Sequence, residues 1–467
     1  MFAKFKRLFG AQDMTVGNPM SVLLKFAIPL LIGNLAQQLY NTVDAIVVGQ
    51  YIGDGALAAV GAANPILNLL LALFMGVSTG AGIIVSQYFG AKQREMLSKT
   101  VGNVITLTFI VTGVVMVIGF AVSFPILSFL STPTDIIGDA NAYLLIIFAG
   151  FLGCSFYNMI SGILRGLGDS MMPLVYLLTA CGTNILLDIL FVAVFKLGVP
   201  GVALATIIAQ FISAVLCVKR LFHMRDVLDI GKKYLRPDKV LIGKIIRIGM
   251  PSGFTQAIFS CAAIVVQSLT NSFGTAVIAT STVIMRVDGF AMLPNFTYGM
   301  AMTTYVGQNI GGQKMDRVHN SAKVGLKISL ITSLVLVTSL IIFGEALMRI
   351  FTTTPEVIDL GMRMIRMMAI GYVGVAITQV LMGIMRGAGD TVTPMIISLI
   401  TTVVLRVPVA YLLAFVTRSA AQPTGAPESI FYSLMISWTL GAIITAIFYR
   451  RGKWKSKAGK LGIGLAE

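Results

Sequence analysis

The chain has 467 residues, 56% of them hydrophobic and 12% charged, with a mean hydropathy of +0.88. Globular domains carry about 25% charged residues, so this composition excludes a water-soluble enzyme, a disulfide-stapled secreted fold and a disordered chain. The formal charge of +16 would suit a nucleic-acid partner, so the placement of the basic residues has to decide its meaning.

In chain order, the basic opening MFAKFKRLFG runs into the polar AQDMTVGNP, so residues 1–20 read as a cytoplasmic segment and not as a cleavable signal. Twelve apolar runs follow, at 21–50, 56–87, 100–124, 138–164, 171–196, 199–219, 241–272, 277–308, 322–350, 357–386, 392–416 and 428–450. A helix needs ~20 residues to cross the hydrocarbon core. Lipid offers no partner to an exposed amide, so each run predicts a helix, and the longer ones predict tilt or kinking. The break at Leu197–Pro200 makes the fifth and sixth spans a tight antiparallel hairpin. The expected domains are a first lobe at 21–219, a linker at 220–240, a second lobe at 241–450 and a basic cytoplasmic tail at 451–467.

Alternate loops then sort the charge. One side holds the amino terminus, Lys92, Arg94, Lys99, Arg165, the linker, the cluster from Lys314 to Lys327, Arg386 and the tail. Of 35 Lys and Arg, only Lys196, Arg349, Arg363, Arg366 and Arg418 fall opposite, and Arg286 and Arg406 lie within spans. The positive-inside rule puts both termini in the cytoplasm. The charge is a topology signal and gives no reason to expect nucleic acid.

The halves repeat. The offset that sets Gly53 on Gly274 also aligns Gln87-Tyr88-Phe89-Gly90 with Gln308-Asn309-Ile310-Gly311. It aligns Arg165-Gly166-Leu167-Gly168-Asp169 with Arg386-Gly387-Ala388-Gly389-Asp390. Six spans per half is even, so the copies share one orientation, as in the parallel repeats of secondary transporters. The fold class is therefore an all-α polytopic membrane protein of twelve transmembrane helices, in two six-helix lobes related by an internal parallel repeat.

The first span carries Asn34, Gln37, Gln38 and Asn41 at helical spacing, extended by Tyr40 and Asp44, with Pro29 a turn or so before them. A polar stripe on an apolar helix faces protein or water. The amides would also serve as interhelical hydrogen-bonding glue, but an intramembrane carboxylate such as Asp44 costs several kcal/mol unless paired or protonated. Asn184 and Asp188 share a helix face at i, i+4. At ~1.5 Å per residue, Asp44 lies about 28 Å beyond Lys25 and Asp188 about 25 Å beyond Met171. Thr206 enters from the outer end to a similar level, so matched depth predicts one oxygen-rich site. Two close carboxylates there would hold a proton, or the oxygen donors would hold Na+.

The second half lacks this equipment: Asp44, Asn184 and Asp188 align with Val266, Leu405 and Val409. Its polar cavity candidates are Gln256, Gln379, Asp288 and Arg286. It also holds most of the 25 methionines, Met292 among them, which read either as an adaptable drug surface or as core filler. Four cysteines within apolar runs and two histidines in charged loops form no metal or redox set. No nucleotide motif or catalytic set appears, so neither enzyme activity nor a cofactor is expected.

These features together resemble the multidrug and toxic compound extrusion (MATE) family of antiporters. Ala27-Ile28-Pro29 opening the first span, Asp44 within it, the paired Arg-Gly-x-Gly-Asp turns and the Asn184–Asp188 segment carry the likeness, over nearly the whole chain. The resemblance implies export of small organic cations or amphipathic drugs, coupled to H+ or Na+ entry, through a V-shaped central cavity. It implies a multi-pass protein of the bacterial cytoplasmic membrane, working in the bilayer as a monomer. Asp44, Asn184, Asp188 and Thr206 correspond to the family's amino-terminal-lobe cation site, Tyr40 and Asn158 to its surroundings, and Pro29 to a helix bend. Some members carry an acid early in the seventh helix, where Gln256 is the nearest polar residue of this chain, which favours coupling through the first lobe. A lipid or lipid-linked oligosaccharide flippase shares this kind of architecture and is the alternative.

Overall fold

Asn18 opens the first helix: its side-chain oxygen accepts the Met20 amide at 3.0 Å, with Pro19 as the first helical residue. Asp238 does the same for the seventh span, accepting the Val240 and Leu241 amides at 2.9 and 3.1 Å. The computed structural model describes residues 10–458 except 131 and 421, and leaves aside the side chains of residues 41, 44–46, 54, 350, 351 and 458. Every regular element among the described residues is helical.

The helices are α1 (Pro19–Tyr51), α2 (Asp54–Gly90), α3 (Arg94–Phe129), α4 (Ile137–Ala149), α5 (Phe151–Gly166), α6 (Met171–Asp188) and α7 (Gly198–His223). The second half supplies α8 (Lys239–Ser272), α9 (Thr275–Gly311), α10 (Met315–Phe351), α11 (Pro355–Gly387), α12 (Val392–Leu399), α13 (Val407–Val416), α14 (Ser429–Arg450) and α15 (Lys453–Ala458). Wider π-helical turns continue α6 over Ile189–Val194 and join α12 to α13 over Ile400–Arg406. Among the described residues, eleven helical runs are long and apolar enough to cross a bilayer, and α4 with α5, bent by 53°, make a twelfth.

That bend corrects the continuous span expected at 138–164. A Cβ at Gly150 would collide with the Ile207 side chain of α7, and at Gly153 it would meet the Phe211 amide at 2.8 Å. Glycine admits α7 here and lets the chain turn between α4 and α5. The eleventh span departs from a plain α-helix for another reason. Pro408 has no amide to donate and crowds the preceding turn, and the π turn widens the helix just ahead of it.

The repeat is written in backbone geometry. Left-handed φ recurs at Gly53 and Gly274 (111° and 94°), at Lys92 and Gln313 (57° and 56°), and at Gly168 and Gly389 (82° and 84°). The paired Gly-Asp turns are helix caps. Asp169 accepts the Met172 amide at 3.1 Å and pairs with Arg220 at 3.0 Å; Asp390 accepts the Thr393 amide at 3.2 Å and pairs with Lys457 at 2.7 Å.

Two compact units emerge. One comprises the described residues of Met1–Met14 and Ile28–Gly253; the other comprises those of Thr15–Ala27 and Phe254–Glu467. The chain thus changes unit inside α1 and inside α8, within two residues of Pro29 and Pro251. In the first unit, glycines bring α2 onto α5: a Cβ at Gly166 would stand 2.6 Å from the Gly82 carbonyl. In the second, a Cβ at Gly387 would stand 2.5 Å from the Thr303 carbonyl, joining α9 to α11 at the equivalent place. Small residues permit this approach where lipid supplies no hydrophobic drive. The second core gathers Ile284, Met364, Ile365, Met368, Tyr372 and Phe431.

The linker docks on the first unit along α3. Arg94 pairs with Asp229 at 2.8 Å and Lys99 with Asp238 at 2.6 Å, while Thr106 donates to the Leu235 carbonyl at 2.7 Å. The Arg94 guanidinium holds the Asp229 carboxyl below its ordinary range, and the Lys99 ammonium does the same for Asp238. In the second unit Lys314 and Arg317 donate to the Thr15 and Gly17 carbonyls at 2.8 and 2.9 Å.

Candidate cation site in the first unit

Helix α6 presents Asn184 and Asp188 one turn apart, and each side chain is only 1% exposed. Helix α7 returns antiparallel after a reversal that uses left-handed geometry at Lys196 (φ 53°) and Gly198 (φ 63°). It brings Thr206 alongside. With the Asn184 amide oriented as its neighbours require, its nitrogen donates to the Asp188 carboxylate at 2.7 Å. Its oxygen then accepts the Thr206 backbone N–H at 3.2 Å. The Thr206 hydroxyl donates to the Val202 carbonyl at 3.0 Å. The expected meeting of Asn184, Asp188 and Thr206 is therefore made, Thr206 joining through its main chain with its hydroxyl 3.4 Å from the Asn184 amide.

The α-helix gives way to a π turn immediately after Asp188, and single π turns recur at functional positions. Burial makes a bare carboxylate expensive, and Asn184 meets that with a neutral amide donor. The arrangement can accept a proton or a small cation while keeping its hydrogen bonds.

The other expected residues fall as follows. The side chains of Asn41 and Asp44 lie outside the described residues. Asn34, Gln37 and Tyr40 are half-buried on α1, and Pro29 is buried within it. Asn158 turns back on its own helix, donating to the Cys154 carbonyl at 2.9 Å, while its carbonyl accepts the Ser78 hydroxyl at 2.7 Å.

In the second unit Gln256 and Arg286 are exposed, and Met292 belongs to the apolar core. Gln379 is buried, 3.5 Å from the Arg386 guanidinium. Asp288 is half-buried, with Tyr372 and the Arg406 charge in its surroundings. Sequence reasoning left Arg406 without a role and passed over Tyr372. The signal was available for the first, since an arginine inside a span calls for a counter-charge; a lone tyrosine gives none. Val266, Val409 and Leu405 stand where the first unit has its polar set. No group of three metal-binding side chains occurs among the described residues.

The MatE family model matches residues 29–190 and again 251–412, so the duplication seen in the helices is a duplication of the family unit. The chain belongs to the MatE family. Among its relatives, the probable multidrug resistance protein YoeA of Bacillus subtilis (strain 168) is 30% identical over 84% of this chain and 86% of its own. The probable multidrug resistance protein YpnP of the same organism is 29% identical over 96% and 98%. An outward-facing multidrug resistance MATE transporter structure aligns with a TM-score of 0.88 over 96% of this chain and 99% of its own, at 23% identity. The MatE chain is thus a polytopic membrane protein of the two-lobe, twelve-helix fold, and its family is one of transporters.

Proposed function

We propose that the chain is a secondary active multidrug exporter of the bacterial cytoplasmic membrane, exchanging cationic or amphipathic organic compounds for H+ or Na+. The names of the relatives support the substrate class, and the duplicated architecture supports alternating access of two lobes. The observation that carries the coupling assignment is the buried Asn184–Asp188–Thr206 cluster, present in one half only. The charge asymmetry of the loops supports cytoplasmic termini, and the pairing of two copies of the family unit in one chain supports a working monomer.

Asp44 and Asp188, at matched depth, share the coupling ion. A cation arriving from outside neutralises the cluster and relieves the burial of its charge. That biases one of the two states, and drug binding biases the other. Linkage then requires each ligand to weaken the other by the same factor.

The test is efflux of a fluorescent organic cation from proteoliposomes under imposed pH or Na+ gradients. Transport should follow one gradient and fall more than tenfold in Asp44→Asn and in Asp188→Asn. Full gradient-driven export by Asp188→Asn would remove the coupling assignment. Absence of drug transport with lipid translocation in its place would favour the flippase.

A further inference from the structure

The end of α10, the start of α11 and the turn between them flank a cavity of about 280 Å³ whose lining is charged. Glu345 and Arg349 of α10 and Asp359, Arg363 and Arg366 of α11 line it. Both helices belong to the second unit, and with the termini cytoplasmic, as proposed above, this end faces outward. Of the five basic residues that the loops sort to that side, three therefore line one cavity. Lys and Arg are sparse on outward faces, so their gathering here calls for a local reason.

Depth supplies one. At ~1.5 Å per residue, the uncharged run between Lys327 and Glu345 of α10 is about 27 Å long, and that between Arg366 and Arg386 of α11 about 30 Å. Each matches the hydrocarbon core of about 30 Å, so Glu345 and Arg366 stand at its outer edge, the level of phospholipid headgroups. Toward the core, Ile341 and Ile342 lie one turn from Glu345 on the same face of α10, and Ile370 lies one turn from Arg366 on α11. All three isoleucines are exposed.

The lining sets three guanidinium groups against two carboxylates. Arg349 pairs with Glu345 at 2.8 Å, and Arg363 is shared between Asp359 at 3.4 Å and Glu428 at 3.3 Å. Arg366 is exposed and makes no ion pair among the described residues. The unmatched charge is that of one phosphodiester, and a guanidinium offers a phosphate paired donors. The cavity is smaller than the roughly 300–1,000 Å³ of drug sites, which suits a headgroup better than a whole drug.

We propose that this cavity seats the phosphate of an outer-leaflet phospholipid, held by Arg366, with the acyl chains along Ile341, Ile342 and Ile370. Arg349 is the second donor, because an exposed ion pair such as the one it makes with Glu345 is weak and exchanges readily. Basic pockets between transmembrane helices bind lipid headgroups in this way. The site is separate from the Asn184–Asp188–Thr206 cluster and does not rest on the export reading.

The test uses the delipidated full chain in a neutral detergent, with bound molecules counted by native mass spectrometry. It is titrated with dioctanoyl-phosphatidylglycerol, with dioctanoylglycerol, which lacks the phosphate, and with glycerophosphoglycerol, which lacks the acyl chains. The phospholipid should bind at least tenfold more tightly than either fragment. Arg366→Gln should weaken it at least fivefold, Arg366→Lys should retain part of the affinity, and Arg349→Gln with Arg366→Gln should erase the preference over dioctanoylglycerol. Arg418→Gln, which removes an outward arginine that does not line the cavity, should change nothing. Undiminished phospholipid affinity in a folded Arg366→Gln protein overturns the proposal. So does an equal loss in Arg418→Gln, which would reduce the effect to general surface charge. Glycerophosphoglycerol binding as tightly as the phospholipid would make this a site for a soluble phosphate ester and remove the lipid.

Discussion

Asp188 receives the Asn184 amide at 2.7 Å, and Asn184 in turn is fixed by the Thr206 main chain at 3.2 Å. Asn184 is thus the positioning residue of the cluster, and Thr206 contributes a group that substitution cannot remove. Thr206→Val should therefore keep gradient-driven export within about threefold. Asn184→Leu, which takes the Asn184 amide donor from a buried carboxylate, should lose more than tenfold, equivalent to about 1.4 kcal/mol or more. Initial rates of drug efflux in proteoliposomes, normalised to folded protein, measure both. Equal losses for the two variants would mean that the Thr206 hydroxyl itself binds the ion. At this scale the sequence was informative about type and depth: i, i+4 spacing and distance from the span ends placed Asn184, Asp188 and Thr206 together. It was silent on whether Thr206 acts through hydroxyl or backbone, because both occupy the same residue at the same depth.

At the scale of elements, helix punctuation was the most readable feature, and it is also where single changes act most strongly. Gly168 has φ 82°, and a Cβ there would collide with the Gln12 carbonyl. Gly168→Ala combines left-handed strain with that collision, and should lower stability by about 1–3 kcal/mol, read as a fall in melting temperature. Asp169→Ala should be harsher, about 3–5 kcal/mol. It removes the α6 cap and takes from Arg220 a fully buried acidic partner. The linker adds a pH dependence. Asp229 and Asp238 sit below their ordinary range, so their contribution is present above the unfolded carboxylate value of about 4. It is lost as pH falls through the lower folded values. Protection of the 226–238 amides, taken relative to their intrinsic exchange rate at each pH, should hold from neutral pH down to about 5 and fall only in stronger acid; a loss of protection already near pH 6 would contradict this. The break at Gly150 and the π turns were not legible, because hydropathy counts apolar residues along one run. Such a count does not register a partner helix entering at Ile207 or a proline widening the turn before it.

At the scale of the whole molecule, the two family matches at 29–190 and 251–412 begin at Pro29 and Pro251 themselves. The same two places, within two residues, are crossings of the chain between compact units, a further crossing lying at Met14–Thr15 ahead of α1. The start of α1 up to Ala27 belongs to the opposite unit from the rest of that helix, and α8 changes unit after Gly253, so α1 and α8 are each shared. Proline deprives both helices of one internal hydrogen bond at these crossings, and permits a kink there. If drug export proceeds by exchange of two lobe arrangements, these shared helices must accommodate the change, and a stiffer helix should slow it. Pro251→Ala is the cleaner probe, because α8 lies far from the Asn184–Asp188 cluster in sequence and the equivalent of Asp44 on it is Val266. Its drug affinity should stay within about twofold, while turnover falls several-fold; restoring the helix is worth up to about 3 kcal/mol. Pro29→Ala should slow turnover as well, but should also shift ion affinity, since α1 carries Asp44. Equilibrium binding and single-turnover efflux on the same preparations separate the two effects. A Pro251→Ala protein that loses affinity in proportion to turnover would place the effect of the proline in the drug site and not in the exchange between states.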